Sequence, residues 1–205
     1  MPEPREPRID GRPQVLVAVG TDKHPFDRLV DWLRQWQDEV AGEVRLTVQH
    51  GHTRADDLPE AVPFLGHADL QAAMARADLV VCHGGPATIL EARRHGHLPI
   101  VVPRDPARGE HVDDHQLLFA RRLGAAGLVA LCESQQELRD TLAAGLADHS
   151  RFTVAVDAGA ADGRRAAVRR VGVIVEDLVA AAAQRHHRPW WRPWRGPGPN
   201  GRRKP

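Results

Sequence analysis

An α/β fold, built on a mostly parallel six-stranded sheet with helices on both faces, is predicted by three features of this 205-residue sequence. Short all-apolar runs recur along the chain, helical three-and-four spacing follows most of them, and the links between are short. Parallel neighbours need crossover connections, and strands covered on both faces lose the in–out alternation of a half-exposed sheet. The length suits one ordinary domain, or one domain with tails.

The elements follow in order. Residues 1–13 carry four prolines among charged residues and are read as a disordered leader. Val15 to Val19 is an apolar run closed by Gly20, the first strand. Phe26, Leu29, Val30, Leu33, Trp36 and Val40 then share one helical face. A second strand is predicted over 45–49 and a short third over 62–65. A helix over 69–77 leads into the strand Leu79-Val80-Val81-Cys82. A helix over 86–95, a strand over 99–102, a helix over 113–123, a strand over 128–131 and a helix over 135–146 complete a Rossmann-like layout. Val168, Val171, Ile174, Val175, Leu178 and Val179 form a later helical stripe, read as packing back on the domain in preference to a partner helix.

Composition removes several function classes. Lys and Arg total 28 against 27 Asp and Glu, but residues 185–205 hold seven of the basic residues and no acidic one. The rest of the chain carries 21 against 27, so it has no general attraction for nucleic acid. That tail also holds five prolines, Trp190, Trp191 and Trp194; disorder and an interfacial membrane anchor both fit it. Cys82 and Cys132 have no metal-like spacing, and a reducing, cytoplasmic setting is expected. No apolar run approaches the roughly 18 residues of a membrane span, and the N-terminus lacks the apolar stretch of a signal peptide.

In an open parallel sheet, ligands collect where strand ends meet helix starts, because free N–H groups and the helix dipole point there. The loop after the first strand, Gly20-Thr21-Asp22-Lys23, is not G-x-G-x-x-G, and G-x-x-x-x-G-K-[ST] is absent. The loop His83-Gly84-Gly85-Pro86-Ala87-Thr88-Ile89-Leu90-Glu91 says more. Two glycines let a ligand approach the backbone, and Pro86 suits a first helical turn. Thr88 and Glu91 share a helix face, placing a hydroxyl for phosphate beside a carboxylate for a diol such as ribose. A plain Gly-Gly turn with a solvated Glu91 is the competing reading. Farther on, Asp113 or Asp114 can cap a helix, and His115 and Gln116 offer donors and acceptors for sugar hydroxyls. His111 and His115 are four apart, yet Val112 stands where the metalloprotease pattern H-E-x-x-H needs Glu, so no metal site is expected. His50, His52, His95 and His97 read as ordinary surface residues.

Val19-Gly20-Thr21 with Phe26-Asp27-Arg28-Leu29, the His83 to Glu91 loop, and Asp113-Asp114-His115-Gln116, in that order, resemble the C-terminal, nucleotide-sugar-binding domain of family 28 glycosyltransferases. The resemblance spans roughly residues 14–147. It is closest to the split members, the catalytic subunits of dolichol-linked chitobiose synthesis and their bacterial exopolysaccharide or capsule relatives. It implies a single GT-B half over 14–184, followed by the tail 185–205, that binds a UDP-sugar without a cofactor. The acceptor half would be a second, membrane-anchored polypeptide at the inner membrane face. Gly20 and Thr21 would then lie against the diphosphate, with His83, Gly84, Gly85 and Thr88 cradling phosphate and Glu91 holding the ribose. Asp114, His115 and Gln116 match positions that contact the donor sugar. Relatives often have Asn where Asp114 stands, and single-chain members carry a longer Gly-Ser loop after the first strand. The implied reaction is metal-independent, inverting hexosyl transfer to a lipid-linked acceptor in cell-surface polysaccharide or glycolipid synthesis. Its base is expected mainly from the partner, with His83 the candidate in this chain. A non-catalytic nucleotide-sugar-binding scaffold subunit is the alternative; a sugar-nucleotide epimerase would need both cleft walls in one chain.

Overall fold

The computed structural model describes residues 10–155 and 171–174. Its elements run β1 (Gln14–Ala18), α1 (Asp27–Glu39), β2 (Arg45–Gln49), β3 (Glu60–Val62), α2 (His67–Arg76), β4 (Leu79–Cys82), α3 (Pro86–Arg94), β5 (Ile100–Val101), α4 (His115–Ala125), β6 (Ala130–Leu131) and α5 (Gln135–Ala147). The six strands form one sheet in the order β3-β2-β1-β4-β5-β6, and every neighbouring pair is parallel. The expected Rossmann-like α/β class is therefore met, with a sheet that is wholly parallel.

The apolar runs are apolar on both faces because both faces are covered. Val15, Val17 and Val19 of the β1 segment pack with Leu29, Leu33 and Trp36 of α1 and with Leu138 and Leu142 of α5. The alternate residues turn the other way: Leu16 joins Met74 of α2 and Ala92 of α3, while Ala18 joins Ile89 of α3 and Phe119 of α4. α1 and α5 thus cover one face, and α2, α3 and α4 the other. α5 begins with a reciprocal capping box, in which the Glu137 amide donates to Ser134 Oγ at 3.3 Å and Glu137 Oε2 accepts from the Ser134 amide at 3.0 Å.

Several boundaries move. β3 begins at Glu60, two residues before the expected start, and ends at Val62 instead of 65. Its register is fixed by a polar pair, Thr47 opposite Glu60, whose carboxylate accepts from Arg45 Nε at 3.0 Å and Thr47 Oγ1 at 3.1 Å. A charged first residue hides this strand from a search for apolar runs, and Pro63, lacking an N–H, follows at once. The link between β2 and β3 holds turns and no helix. α4 starts at His115 instead of 113, with the Asp113 carboxylate accepting from the His115 amide at 3.1 Å. Residues 171–174 are helical, and Val171 is buried against the Ala18–Phe119 core, as packing of the late stripe on its own domain requires. The remainder of that stripe, leader residues 1–9 and the tail 185–205 lie outside the described residues.

Two histidines expected at the surface are interior. His97 is 1% exposed, with Nε2 2.7 Å from the Met74 carbonyl, and His50 is buried with Nδ1 2.6 Å from the Thr53 carbonyl. Each ring pays its desolvation through a backbone carbonyl that a surface position would not supply. Both cysteines are free and buried; burial pushes the Cys82 thiol up to about 12 and the Cys132 thiol up to about 11, so neither is a ready nucleophile.

Gly145 on α5 lies directly over Leu79, where an added Cβ would sit 2.7 Å from Leu79 Cδ2 and 3.1 Å from Phe152 Cδ2. Helix propensity favours Ala over Gly by about 1 kcal/mol. Leu79 is fully buried and has nowhere to move, so overpacking outweighs propensity. Gly145→Ala is expected to lower stability by about 1–2 kcal/mol in urea denaturation; an increase would show that α5 can lift from the sheet.

Candidate functional site

The chain leaves β1 towards α1 on one face and leaves β4 towards α3 on the other. The two adjacent strands therefore release their loops in opposite directions, opening a crevice at their C-terminal ends. Gly20 and the His83-Gly84-Gly85 loop meet there. Gly20 (φ +89°) and Gly84 (φ +91°) hold left-handed conformations that a side chain would strain.

His83 fills the floor of this crevice. Its Nδ1 lies 3.2 Å from the Ala18 carbonyl, and its ring is clasped between two glycines. A Cβ on Gly20 would sit 2.7 Å from His83 Cε1, and one on Gly85 would collide with Nε2. Two of the glycines read as ligand-approach positions thus first make room for a buried imidazole. Burial pushes the His83 pKa down to about 4; the Ala18 hydrogen bond opposes that fall and the Arg104 charge adds to it. A ring so weakly basic stays neutral near pH 7 and is a poor proton acceptor there. Beyond it, α3 opens with Gly85 as a cap that makes no side-chain hydrogen bond and Pro86 in the first turn. The N–H groups of Ala87 and Thr88 head the helix at an end where Pro86 and Ala87 are exposed.

The third wall is the β5–α4 loop, and its anchor was not apparent in the sequence. Arg104 is 1% exposed. Its Nη1 donates to the carbonyls of His24 at 2.7 Å and Glu110 at 2.9 Å, its Nη2 donates to Val19 at 3.0 Å, and its guanidinium stands 4.9 Å over the Phe26 ring. Glu110, also buried, takes a bidentate pair from Arg28, both bonds at 2.8 Å, and accepts from the Asp105 amide at 2.7 Å. Arg28 completes the knot through the Pro103 carbonyl at 2.8 Å. The loops after β1 and β5 are joined into one rigid rim. Arg28 belongs to the Phe26-to-Leu29 motif, but its partner eighty-two residues away leaves no local signal.

On this rim stands a row of alternating His and Asp that the sequence reading also passes over in part. His24 Nδ1 is 2.5 Å from Asp22 Oδ1, His111 Nε2 is 3.8 Å from Asp22 Oδ2, and His111 and His115 approach Asp113 Oδ1 at 3.3 and 2.9 Å through Nδ1. Burial works to raise Asp22 and Asp113, but hydrogen bonds from His24 and His115 outweigh it and hold both carboxylates below their usual range. Among the described residues no three His, Cys, Asp or Glu side chains are grouped to hold a metal ion.

The remaining expected residues divide. The backbone of Gln116 lies beside Gly84, its carbonyl 3.7 Å from where a Cβ would stand, so the start of α4 does meet the glycine loop. Its Oε1 is buried without a hydrogen-bond partner among the described residues. Asp114 is exposed and caps nothing with its side chain, Thr21 is exposed, and Thr88 is half-buried on α3. Glu91 is not the solvated residue of the competing reading: it accepts from Gln71 Nε2 of α2 at 2.7 Å and pairs with Arg94 at 3.1 Å. Phe64, 51% exposed in the loop after β3 and edge-on to His52, is a further exposed ring at the same end of the sheet.

Residues 14–169 match the glycosyltransferase family 28 C-terminal domain. A curated relative in Halorhodospira halophila, a UDP-N-acetylglucosamine–N-acetylmuramyl-(pentapeptide) pyrophosphoryl-undecaprenol N-acetylglucosamine transferase, is 33% identical over 87% of this chain and 52% of its own length. The protein of that name in Cupriavidus metallidurans is 34% identical over 65% of this chain and 36% of its own. The chain thus spans about half or less of these relatives. Among solved structures, MurG of Acinetobacter baumannii superposes with a TM-score of 0.52 at 19% identity, over 71% of this chain and 44% of its own. The likeness between structures is one of fold.

Two measurements check the wedge and the rim. The His83 pKa of about 4 lies below the ordinary 6.5, so the unfolded chain binds the extra proton and stability is lost as pH falls from about 6.5 towards 4. The gap corresponds to about 3 kcal/mol. His83→Gln is expected to flatten the melting temperature over that window, and an unchanged acid slope would assign the loss elsewhere. Arg104→Met, which strands three carbonyls, two of them buried, is expected to cost about 3–5 kcal/mol in urea denaturation; a loss below 1 kcal/mol would show the rim to be held by Arg28 and Glu110 alone.

Proposed function

The chain belongs to the family of the glycosyltransferase family 28 C-terminal domain, and from that membership we propose that it is the donor-binding half of a GT-B enzyme transferring a hexosyl group from a UDP-sugar to a lipid-linked acceptor. The observation that carries the reading is the convergence at one sheet end of a left-handed Gly20, a wedged His83 and the open N-terminus of α3. Such an end is built for a diphosphate: N–H groups and the helix dipole favour negative charge, and the charge grows as UDP departs. Glu91 takes the ribose hydroxyls one helical turn farther on. Phe64 offers an aromatic face to the base from the neighbouring loop. Asp114, His115 and Gln116 face the hexose. The Asp113 carboxylate fixes His115 by Nδ1, presenting Nε2 to a sugar hydroxyl, and a turn of the Gln116 amide towards a hydroxyl relieves its unpartnered Oε1.

In the reaction we propose, the acceptor oxygen attacks the anomeric carbon from the face opposite UDP, the bond from that carbon to the β-phosphate oxygen breaks, and the configuration inverts. The helix end serves the leaving diphosphate in the place a metal ion would take. With a pKa near 4, His83 is assigned to shaping the crevice, and the base to the acceptor half. That half we assign to a second, membrane-anchored polypeptide, which would hold this chain at the inner membrane face. We assign donor binding to residues 14–184, with the basic Trp- and Pro-rich tail 185–205 following it.

The test is calorimetry of the full chain with UDP. Glu91→Ala is expected to weaken binding at least tenfold, and wild-type chain reconstituted with its partner to release UDP with a lipid-linked acceptor. Absence of UDP affinity in the wild-type chain, alone and with its partner, would overturn the reading. Binding with no turnover by the reconstituted pair would favour a nucleotide-sugar-binding scaffold subunit.

A further inference from the structure

Glu91, the residue assigned to ribose, draws its hydrogen bonds from two helices. Its side chain is 13% exposed. From its own helix come Arg94, whose Nη1 is 3.1 Å from Oε2, and His95, whose Nε2 stands 3.7 Å from Oε1 and beyond hydrogen-bond reach. Both lie one turn farther along α3, away from the glycine loop, and both would draw a free carboxylate that way. The opposing contact comes from α2, where Gln71 Nε2 donates to Oε1 at 2.7 Å. Gln71 is itself fixed, because the same amide nitrogen lies 2.9 Å from His67 Nε2, one turn earlier on α2. An amide NH2 only donates, so that ring nitrogen accepts. α2 and α3 are held side by side beneath this chain of contacts by Met74, Ala77 and Ala92, all fully buried.

The acceptor count is specific. A carboxylate has about four lone-pair positions, two per oxygen. Gln71 occupies one on Oε1 and Arg94 one on Oε2, which leaves one on each oxygen. Two adjacent hydroxyls need that arrangement, one acceptor apiece. Gln71 is uncharged and adds nothing to the compensation that Arg94 already gives the carboxylate, so Glu91 keeps acceptor strength on Oε1.

Resting on the ribose reading of Glu91, we propose that Gln71 is a positioning residue for nucleotide recognition: from α2 it holds the Glu91 carboxylate so that both oxygens face the ribose diol, and thereby sets the preference for ribonucleotides over 2′-deoxyribonucleotides. Gln71 does not touch the nucleotide. It acts through Glu91 alone, so its removal should cost more affinity where both hydroxyls are present than where only the 3′-hydroxyl is.

The experiment is calorimetric titration of the full chain with UDP and with 2′-deoxy-UDP. Wild type is expected to bind UDP at least tenfold more tightly. Gln71→Leu, close in size but without the donor, should lose most of that preference, with UDP binding weakening several-fold more than 2′-deoxy-UDP binding and an unchanged melting temperature. Should the Leu variant fail to fold, Gln71→Glu keeps a polar side chain at this half-buried position and sets two carboxylates against each other, and the same loss of preference is expected. An intact preference in the folded Gln71 variant, with Glu91→Ala abolishing it, would overturn this inference and leave the ribose reading standing. Equal losses for both nucleotides would overturn it too, by making Gln71 merely structural. A preference that survives Glu91→Ala, or is absent from wild type, would remove the ribose reading and this inference with it.

Discussion

One buried guanidinium holds the site together. Arg104, just past β5, donates from Nη1 and Nη2 to backbone carbonyls on both sides of the crevice, Val19 and His24 on one side and Glu110 on the other. A charge with so little exposure is tolerated because carbonyl dipoles, the Phe26 ring and the carboxylates of Asp22 and Glu110 surround it. The loops it ties have no regular structure of their own to keep them in place. Without that tie the loops after β1 and β5 would be two independent surface segments, and their His and Asp side chains would not share a rim.

The same guanidinium acts on the neighbouring imidazole. His83 is kept neutral first by burial and then by the Arg104 charge. A neutral ring clasped by Gly20 and Gly85 makes a stiff floor without adding positive charge of its own, which leaves anion attraction to the N–H groups of α3. Glycine therefore has two uses in this crevice. Gly84 supplies a backbone conformation, Gly85 supplies space for an imidazole, and Gly20 supplies both. A loop read from sequence as ligand access is, in the folded chain, also a packing solution.

Much of this was legible from residue order. Val15 to Val19 and Leu79 to Cys82 read as doubly covered strands because their side chains alternate between two cores, whereas the order β3-β2-β1-β4-β5-β6 came from the fold. Pro86 and the paired glycines marked the start of α3 correctly. β3 was misplaced by two residues because its first residue is a charged Glu60 satisfied by Arg45 and Thr47. His97 and His50 were misread because nothing local to a histidine reveals a carbonyl waiting in the core. Asp22 and His24 carried only the weak signal of two polar residues after a strand.

Sequence alone determined the strand–helix alternation and the absence of the common dinucleotide and P-loop patterns, and it offered the candidate residues for a diphosphate and a diol. Those are properties of periodicity and of side-chain chemistry, and they survive without knowledge of neighbours. Tertiary structure decided the partners: Arg104 with three carbonyls, Arg28 with Glu110 across eighty-two residues, and Glu91 with Gln71 on the adjoining helix. Hydrogen bonds and burial depend on distance in space, and a parallel sheet brings the two ends of its loops together only after every crossover has closed.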